Sequence, residues 1–353
     1  MLEGGGRRLC SSRMGFLDAL SDMPRRLLAM AVLAATLLVA AARPAAAACQ
    51  ATSLHIPPSA RALAMAAAAQ REHLAFGSQT LDAEGRLIEA GFSEGDDARG
   101  APGTMAPWQR VLGYWQAVDS PARRLPSAVR FGALRPARRE LLTQALELAS
   151  AAHLRGLGVD APQGLQSHEL QAVQAALARV AVIDTPWSAA FVSWLAREAG
   201  LGPGEFVYSE AHADYAGAAW QAGIDEAQGR ANPFALRACA LMQTRPRVGD
   251  LVCHARSDDA ERASFEALGR ILAKRGTGGA PVPMHCDVVV AVDAKGFDAI
   301  GGNVLQSVTL RRLSFARGSG LLDPDYLGCD ARTPHCIDRH MSRAPWSLLL
   351  QWR

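Results

Sequence analysis

Ser188, His285 and Asn303 are polar residues standing where patterned segments begin or end. A hydroxyl nucleophile, an imidazole that takes and returns its proton, and an amide that orients the imidazole form the constellation of acyl-transfer hydrolysis. Ser188 opens a segment in which Trp187, Phe191, Trp194 and Leu195 recur at helical spacing, with Thr185 as expected cap, Pro186 as first helical residue and Gly200 as stop. A helix start presents unpaired N–H groups and a positive dipole end, which favour an oxyanion there. His285 opens "HCDVVVAVD", and Asn303 follows "IGG"; Asp298 is its rival as the third member. Each residue also has a plainer role: Ser188 starting a helix, His285 buried on backbone at a strand start, Asn303 in a turn. Trp187 completes the apolar face beside Ser188, and in "SEAHADYAGAAW" His212 and Tyr215 lie one helical turn apart. These three are the candidate substrate contacts, with core packing as the alternative.

Metal binding is a different class of answer. Cys253-His254, His285-Cys286 and the tail cluster Cys329, His335, Cys336 and His340 offer thiolate and imidazole donors. No C-x-x-C occurs and no spacing follows a zinc pattern, so no metal ligand is assigned and no cofactor is expected.

The elements that must position these residues change character along the chain. Helical periods fill the region up to about residue 180: "SARALAMAAAAQREHLAF", "PWQRVLGYWQAV", "ARRELLTQALELASAAHL" and "SHELQAVQAALARVAV". The Gly- and acid-rich "EAGFSEGDDARGAPG" is a loop. After the Ser188 helix and a second around "EAHADYAGAAWQAG" come β-type runs at 249–253, 285–293, 297–300, 306–313 and 346–352, with one surface helix between the first two. The turn "DAKG" makes the second and third runs an antiparallel hairpin. Helices followed by an antiparallel sheet describe an α+β fold.

"PWSAAFVSW", "PRVGDLVC", "HCDVVVAVD" and "IGGNVLQSV" resemble, in the same order, the papain-like bacterial cell-wall hydrolases of the CHAP and NlpC type, over about residues 183–313. More narrowly, the chain resembles an uncharacterised family of exported bacterial domains with a W-S-A-A-F signature. The resemblance implies a papain-like domain over 181–353, its first helix packed on an antiparallel sheet, preceded by a helical region over 49–180. It also implies peptidoglycan or its stem peptides as partner, an amide as the bond attacked, Ser188 at the nucleophile position, His285 as base and Asn303 as orienting residue. The departure is Ser188, where those families carry Cys. A thiol can be held as thiolate, whereas a serine must lose its proton during attack. The alternatives are therefore a degenerate domain that binds wall peptide or a protein partner, and a structural metal-binding protein.

Residues 1–48 read as a signal peptide: Arg25-Arg26, an apolar run over 27–42, then "RPAAAAC" ending at Cys49. The run is short for a membrane span. The end resembles a lipoprotein cleavage site, with Ala46 where Leu is usual, so Cys49 is a candidate for acylation and membrane attachment, against simple cleavage into the periplasm. These residues hold six Arg against Glu3, Asp18 and Asp22, which accounts for the whole formal charge of +3. The neutral remainder argues against a nucleic-acid partner. Of the later cysteines, Cys329 and Cys336 flank a short Pro-containing loop and form the expected disulfide. Lipidation of Cys49 would leave at least one thiol unpaired.

Overall fold

The computed structural model describes residues 44–97, 104–119, 155, 156, 158, 179, 182, 183, 185–256, 264–276, 278–329 and 334–353. The chain divides into two units, Met1–Pro44 and Ala45–Arg353, and the fold described is that of the second. Most of the helix patterns over 137–154 and 167–182 lie outside the described residues, as does the signal segment.

Among the described residues two helices come first, α1 (Pro44–His55) and α2 (Ala60–Ala75); the Ser59 side chain accepts the Ala62 N–H and so caps α2. Two short strands follow, β1 (Thr80–Leu81) and β2 (Leu87–Glu89), then α3 (Pro107–Gln116), α4 (Ser188–Glu198) and α5 (His212–Ala227). The rest is mainly sheet: β3 (Leu236–Ala240), β4 (Leu251–Ala255), the surface helix α6 (Phe265–Arg275), β5 (Met284–Val292), β6 (Gly296–Val304), β7 (Ser307–Ser314) and β8 (Trp346–Trp352). The eight described strands form one sheet in the order β2-β1-β7-β6-β5-β4-β8-β3, antiparallel except where β1 meets β7. The fold is α+β, with a mixed sheet.

The expected strands are present, and the β5–β6 hairpin closes at "DAKG", where Asp293 Oδ1 accepts the N–H groups of Lys295 and Gly296. The β6–β7 hairpin turns through Leu305 and Gln306, both at positive φ, the geometry whose twist suits a two-residue connection. Three strands lack a sequence pattern of their own. β1 and β2 are too short to show one, and β3 is ordered by pairing with β8. The "GD" before "LVC" is a structural corner. Gly249 sits at φ +89°, and buried Asp250 accepts N–H bonds from Arg247 and Trp352.

The sheet has two apolar faces. Met284, Cys286, Val288, Ile300 and Leu348 pack with residues of α2 to α5. On the other face, Val252, Val289, Phe297, Ala299 and Trp346 form a second core with Tyr326 and Leu322 of the C-terminal loops. Disulfides bind the layers: Cys49 of α1 to Cys239 of β3, Cys253 of β4 to Cys286 of β5, and Cys329 to Cys336 as expected. No described helix is long and apolar enough to cross a membrane.

Candidate functional site

The N-termini of α4 and α5 supply the centre of the site. Helix α4 starts two residues later than Pro186 suggested, because Trp187 is pinned outside it. Its ring is fully buried against Phe76, Tyr114 and Phe191, and its indole N–H donates to Glu94 at 2.6 Å. Ser188 is thus the first helical residue, and no side chain caps the terminus. His212 is likewise the first residue of α5, also without a side-chain cap. Ser188 Oγ lies 2.7 Å from His212 Nε2, and His212 Nδ1 is hydrogen-bonded to the Tyr215 hydroxyl one turn along. Ser188 and His212 are 4% and 5% exposed, and Tyr215 is fully buried on Phe206.

Burial holds His212 well below the usual imidazole range, and positive charge at His285, Arg256 or His254 would lower it further, so the ring is neutral at pH 7. A neutral imidazole protonates one nitrogen only, which leaves two arrangements. Tyr215, pushed well above 10 mainly by burial, keeps its proton and has no other hydrogen-bond acceptor than Nδ1 among the described residues. If the phenol donates to Nδ1, Nε2–H points at Ser188 Oγ. If Nδ1–H points at the phenol, Nε2 can accept the Ser188 proton, but the phenol O–H is left unmet at about 1–3 kcal/mol. In the first arrangement it is the Ser188 O–H that lacks a protein acceptor among the described residues, but Ser188 keeps a small exposure through which water can meet it. Tyr215 is fully closed off, so the first arrangement is the resting one.

A second chain of polar groups lies alongside. His285 Nε2 is 2.6 Å from Asp287 Oδ1, and its Nδ1 is 2.9 Å from an Arg256 nitrogen. Burial pushes the Asp287 carboxyl up, but Arg311 and then His285 pull it down to about 2, so it is ionised. Burial lowers His285 despite Asp287. An arginine can only donate and a carboxylate only accept, so Nδ1 carries the lone pair and Nε2 the proton. Both nitrogens of His285 are therefore committed. Its ring packs 5.4 Å from that of His212 and 5.6 Å from that of His254, which burial and then His285 drive down to about 3. Gly301 and Gly302 let β6 pass closely between these parts. A Cβ at 301 would stand 2.9 Å from His285 Nε2, and one at 302 would stand 2.7 Å from the Phe191 Cβ.

Several assignments change. His285 does not serve Ser188: Asp287 and Arg256 occupy its nitrogens, and Ser188 Oγ meets His212 instead. Asn303 does not orient it. It sits at φ +56° in an irregular stretch of β6 and reaches the Thr185 carbonyl at 3.5 Å, a backbone role that Asn tolerates well. Asp298 pairs with Arg312 instead. Trp187 and Tyr215 are fully buried, so neither is a substrate contact, and His212 is Ser188's partner rather than a cleft wall. The Cys49 sulfur is bonded to Cys239 and has no valence for a lipid thioether. Likewise, the disulfides take the thiolates that a Cys/His metal centre would need. The residues that pattern reading missed are Asp287 and Arg256. The first had a signal in "HCD", since residues two apart share a strand face. The second had none.

The family model described as an uncharacterized protein conserved in bacteria, DUF2272, matches residues 154–350, more than half of the chain. The chain belongs to this DUF2272 family. The match takes in Ser188, His212, Tyr215, Arg256, His285 and Asp287, so the whole cluster lies within the family's domain. No curated protein and no solved structure matches this DUF2272 chain.

Proposed function

We propose that this chain is an exported bacterial envelope protein whose papain-like domain hydrolyses an amide in or next to the peptide stem of peptidoglycan. The observation that carries the reading is the 2.7 Å contact between Ser188 Oγ and neutral His212 Nε2 at an uncapped helix N-terminus. Ser188 attacks the carbonyl carbon, and its proton passes to Nε2 once His212 is in the tautomer that accepts. The tetrahedral oxyanion is met by the Ser188 N–H at the positive end of α4. His212 then returns the proton to the departing amine, and water repeats the sequence on the acyl-serine. The imidazolium formed on the way faces Arg256 rather than a carboxylate, which makes for slow turnover. Asp287 and His285 fix the wall beside His212. Export to an oxidising compartment fits the pairing of all six cysteines from Cys49 onward. With Cys49 in a disulfide, the mature chain is periplasmic rather than lipid-anchored.

The resting tautomer favours a second reading, a domain that binds wall peptide without turnover, because Nε2–H directed at Ser188 cannot take its proton. Digestion of purified peptidoglycan with wild type, Ser188→Ala and His212→Ala, read by mass, separates the two. New amine and carboxyl termini with wild type alone establish the hydrolase. No cleavage by wild type, with wall peptide still retained in a pull-down, establishes the binding domain.

A further inference from the structure

Arg256 makes an unusual partnership. Its guanidinium donates to the lone pair of a neutral imidazole, His285 Nδ1, and has no other hydrogen bond among the described residues. Buried or half-buried arginines ordinarily meet a carboxylate or carbonyls, which offset their charge. Here the carboxylate that His285 holds, Asp287, lies beyond the ring from Arg256 and is also drawn on by Arg311, 3.5 Å from its other oxygen. Arg311 is itself 7% exposed and sits over the Trp346 ring, and its guanidinium makes no hydrogen bond among the described residues. Among the described residues two guanidiniums thus share one carboxylate, and the three neighbouring histidines are neutral, so these groups together carry one surplus positive charge. Arg256 is open to solvent as a residue, although burial lowers its guanidinium below the usual arginine range.

The position of Arg256 is set by the chain Asp287–His285–Arg256, whose bonds of 2.6 and 2.9 Å fix the side chain before any ligand arrives. A preset guanidinium with unused N–H groups is the donor array that a carboxylate matches in a forked pair. Its field reaches the nucleophile's partner, since it is among the charges holding His212 low. We infer that Arg256 reads a free carboxylate on the peptide bound at Ser188, so that the preferred substrate carries a terminal carboxyl group close to the amide presented to Ser188. The inference rests on the reading of Ser188 as the centre of the substrate site, and it concerns recognition whether or not turnover follows.

The test uses diacetyl-L-lysyl-D-alanyl-D-alanine, whose only charge is its terminal carboxylate, and the same peptide as its C-terminal carboxamide. Binding of both to Ser188→Ala protein is measured by calorimetry, with hydrolysis by wild type followed in parallel. The acid is expected to bind about tenfold more tightly than the amide, with the difference lost in Arg256→Gln and partly kept in Arg256→Lys. Equal binding of the two peptides, absence of binding by either, or a preference that survives Arg256→Gln in folded protein overturns the inference. A preference without hydrolysis overturns only the hydrolase reading, and hydrolysis without a preference overturns only the carboxylate reading.

Discussion

Replacing Tyr215 by Phe tests the proton arrangement at Ser188 directly. In the wild type the phenol's acceptor is His212 Nδ1, and losing that bond costs about 1–3 kcal/mol. At 1.4 kcal/mol per factor of ten, the tautomer whose Nε2 can accept from Ser188 is disfavoured by about 5- to 150-fold. In Tyr215→Phe neither tautomer keeps a bond to the ring hydroxyl, so that bias disappears. The fraction of His212 able to take the Ser188 proton should rise toward a half. Reaction of Ser188 with a fluorophosphonate at pH 7.5, followed by intact mass, should therefore accelerate at least about threefold, with Ser188→Ala unlabelled. Global stability should fall by about 1–2 kcal/mol, because Nδ1 then lacks its partner. Labelling that is unchanged or slower in Tyr215→Phe would show that the phenol accepts from Nδ1–H and helps Ser188, contrary to the argument. Wild type and variant both folded and both unlabelled would remove Ser188 as a nucleophile.

Gly301→Ala places a Cβ 2.8 Å from the Asp287 Cγ and 2.9 Å from His285 Nε2, so it should destabilise by about 3 kcal/mol in urea melts. With Asp287→Ala also present, the added cost of Gly301→Ala should shrink by more than 1 kcal/mol, and strict additivity would refute the clash. His254 has a folded pKa of about 3 against 6.5 unfolded, so the stability linked to its neutral form is complete above pH 6.5 and is lost as pH falls toward 3. The loss is on the order of 4 kcal/mol, and the urea midpoint of His254→Gln should fall less steeply over that range. Removing the Cys49–Cys239 bridge by double substitution to Ala should cost up to about 5 kcal/mol from chain entropy, since the bridged residues are 190 apart. A palmitate-labelled Cys49 in the wild type would contradict the disulfide.

Local patterns gave the elements themselves. The apolar spacing of Trp187, Phe191 and Leu195 defines α4, the alternation in "HCDVVVAVD" defines β5, "DAKG" turns the hairpin, and a separation of seven positions suffices to pair Cys329 with Cys336. Each depends on residues close in sequence, so period and turn chemistry reveal it. Partnership across the fold is a different matter. Ser188 meets His212 because the ends of two helices pack together, and nothing in the spacing of "PWSAAF" and "EAHADY" states how those helices cross. His285 occupies the expected strand start, yet the face it presents follows from the register that places Cys286 opposite Cys253. Asp287 could be read as sharing that face, but the arrival of Arg256 at His285 required β4 and β5 to be paired first. Cys49 looked local to the end of an export signal, while its sulfur was claimed by a strand 190 residues on. The sequence determined the elements and the residue types that could do chemistry. Tertiary packing decided which of them touch, because crossing angles and strand register are set by the sum of many contacts over the whole core rather than by any one stretch of chain.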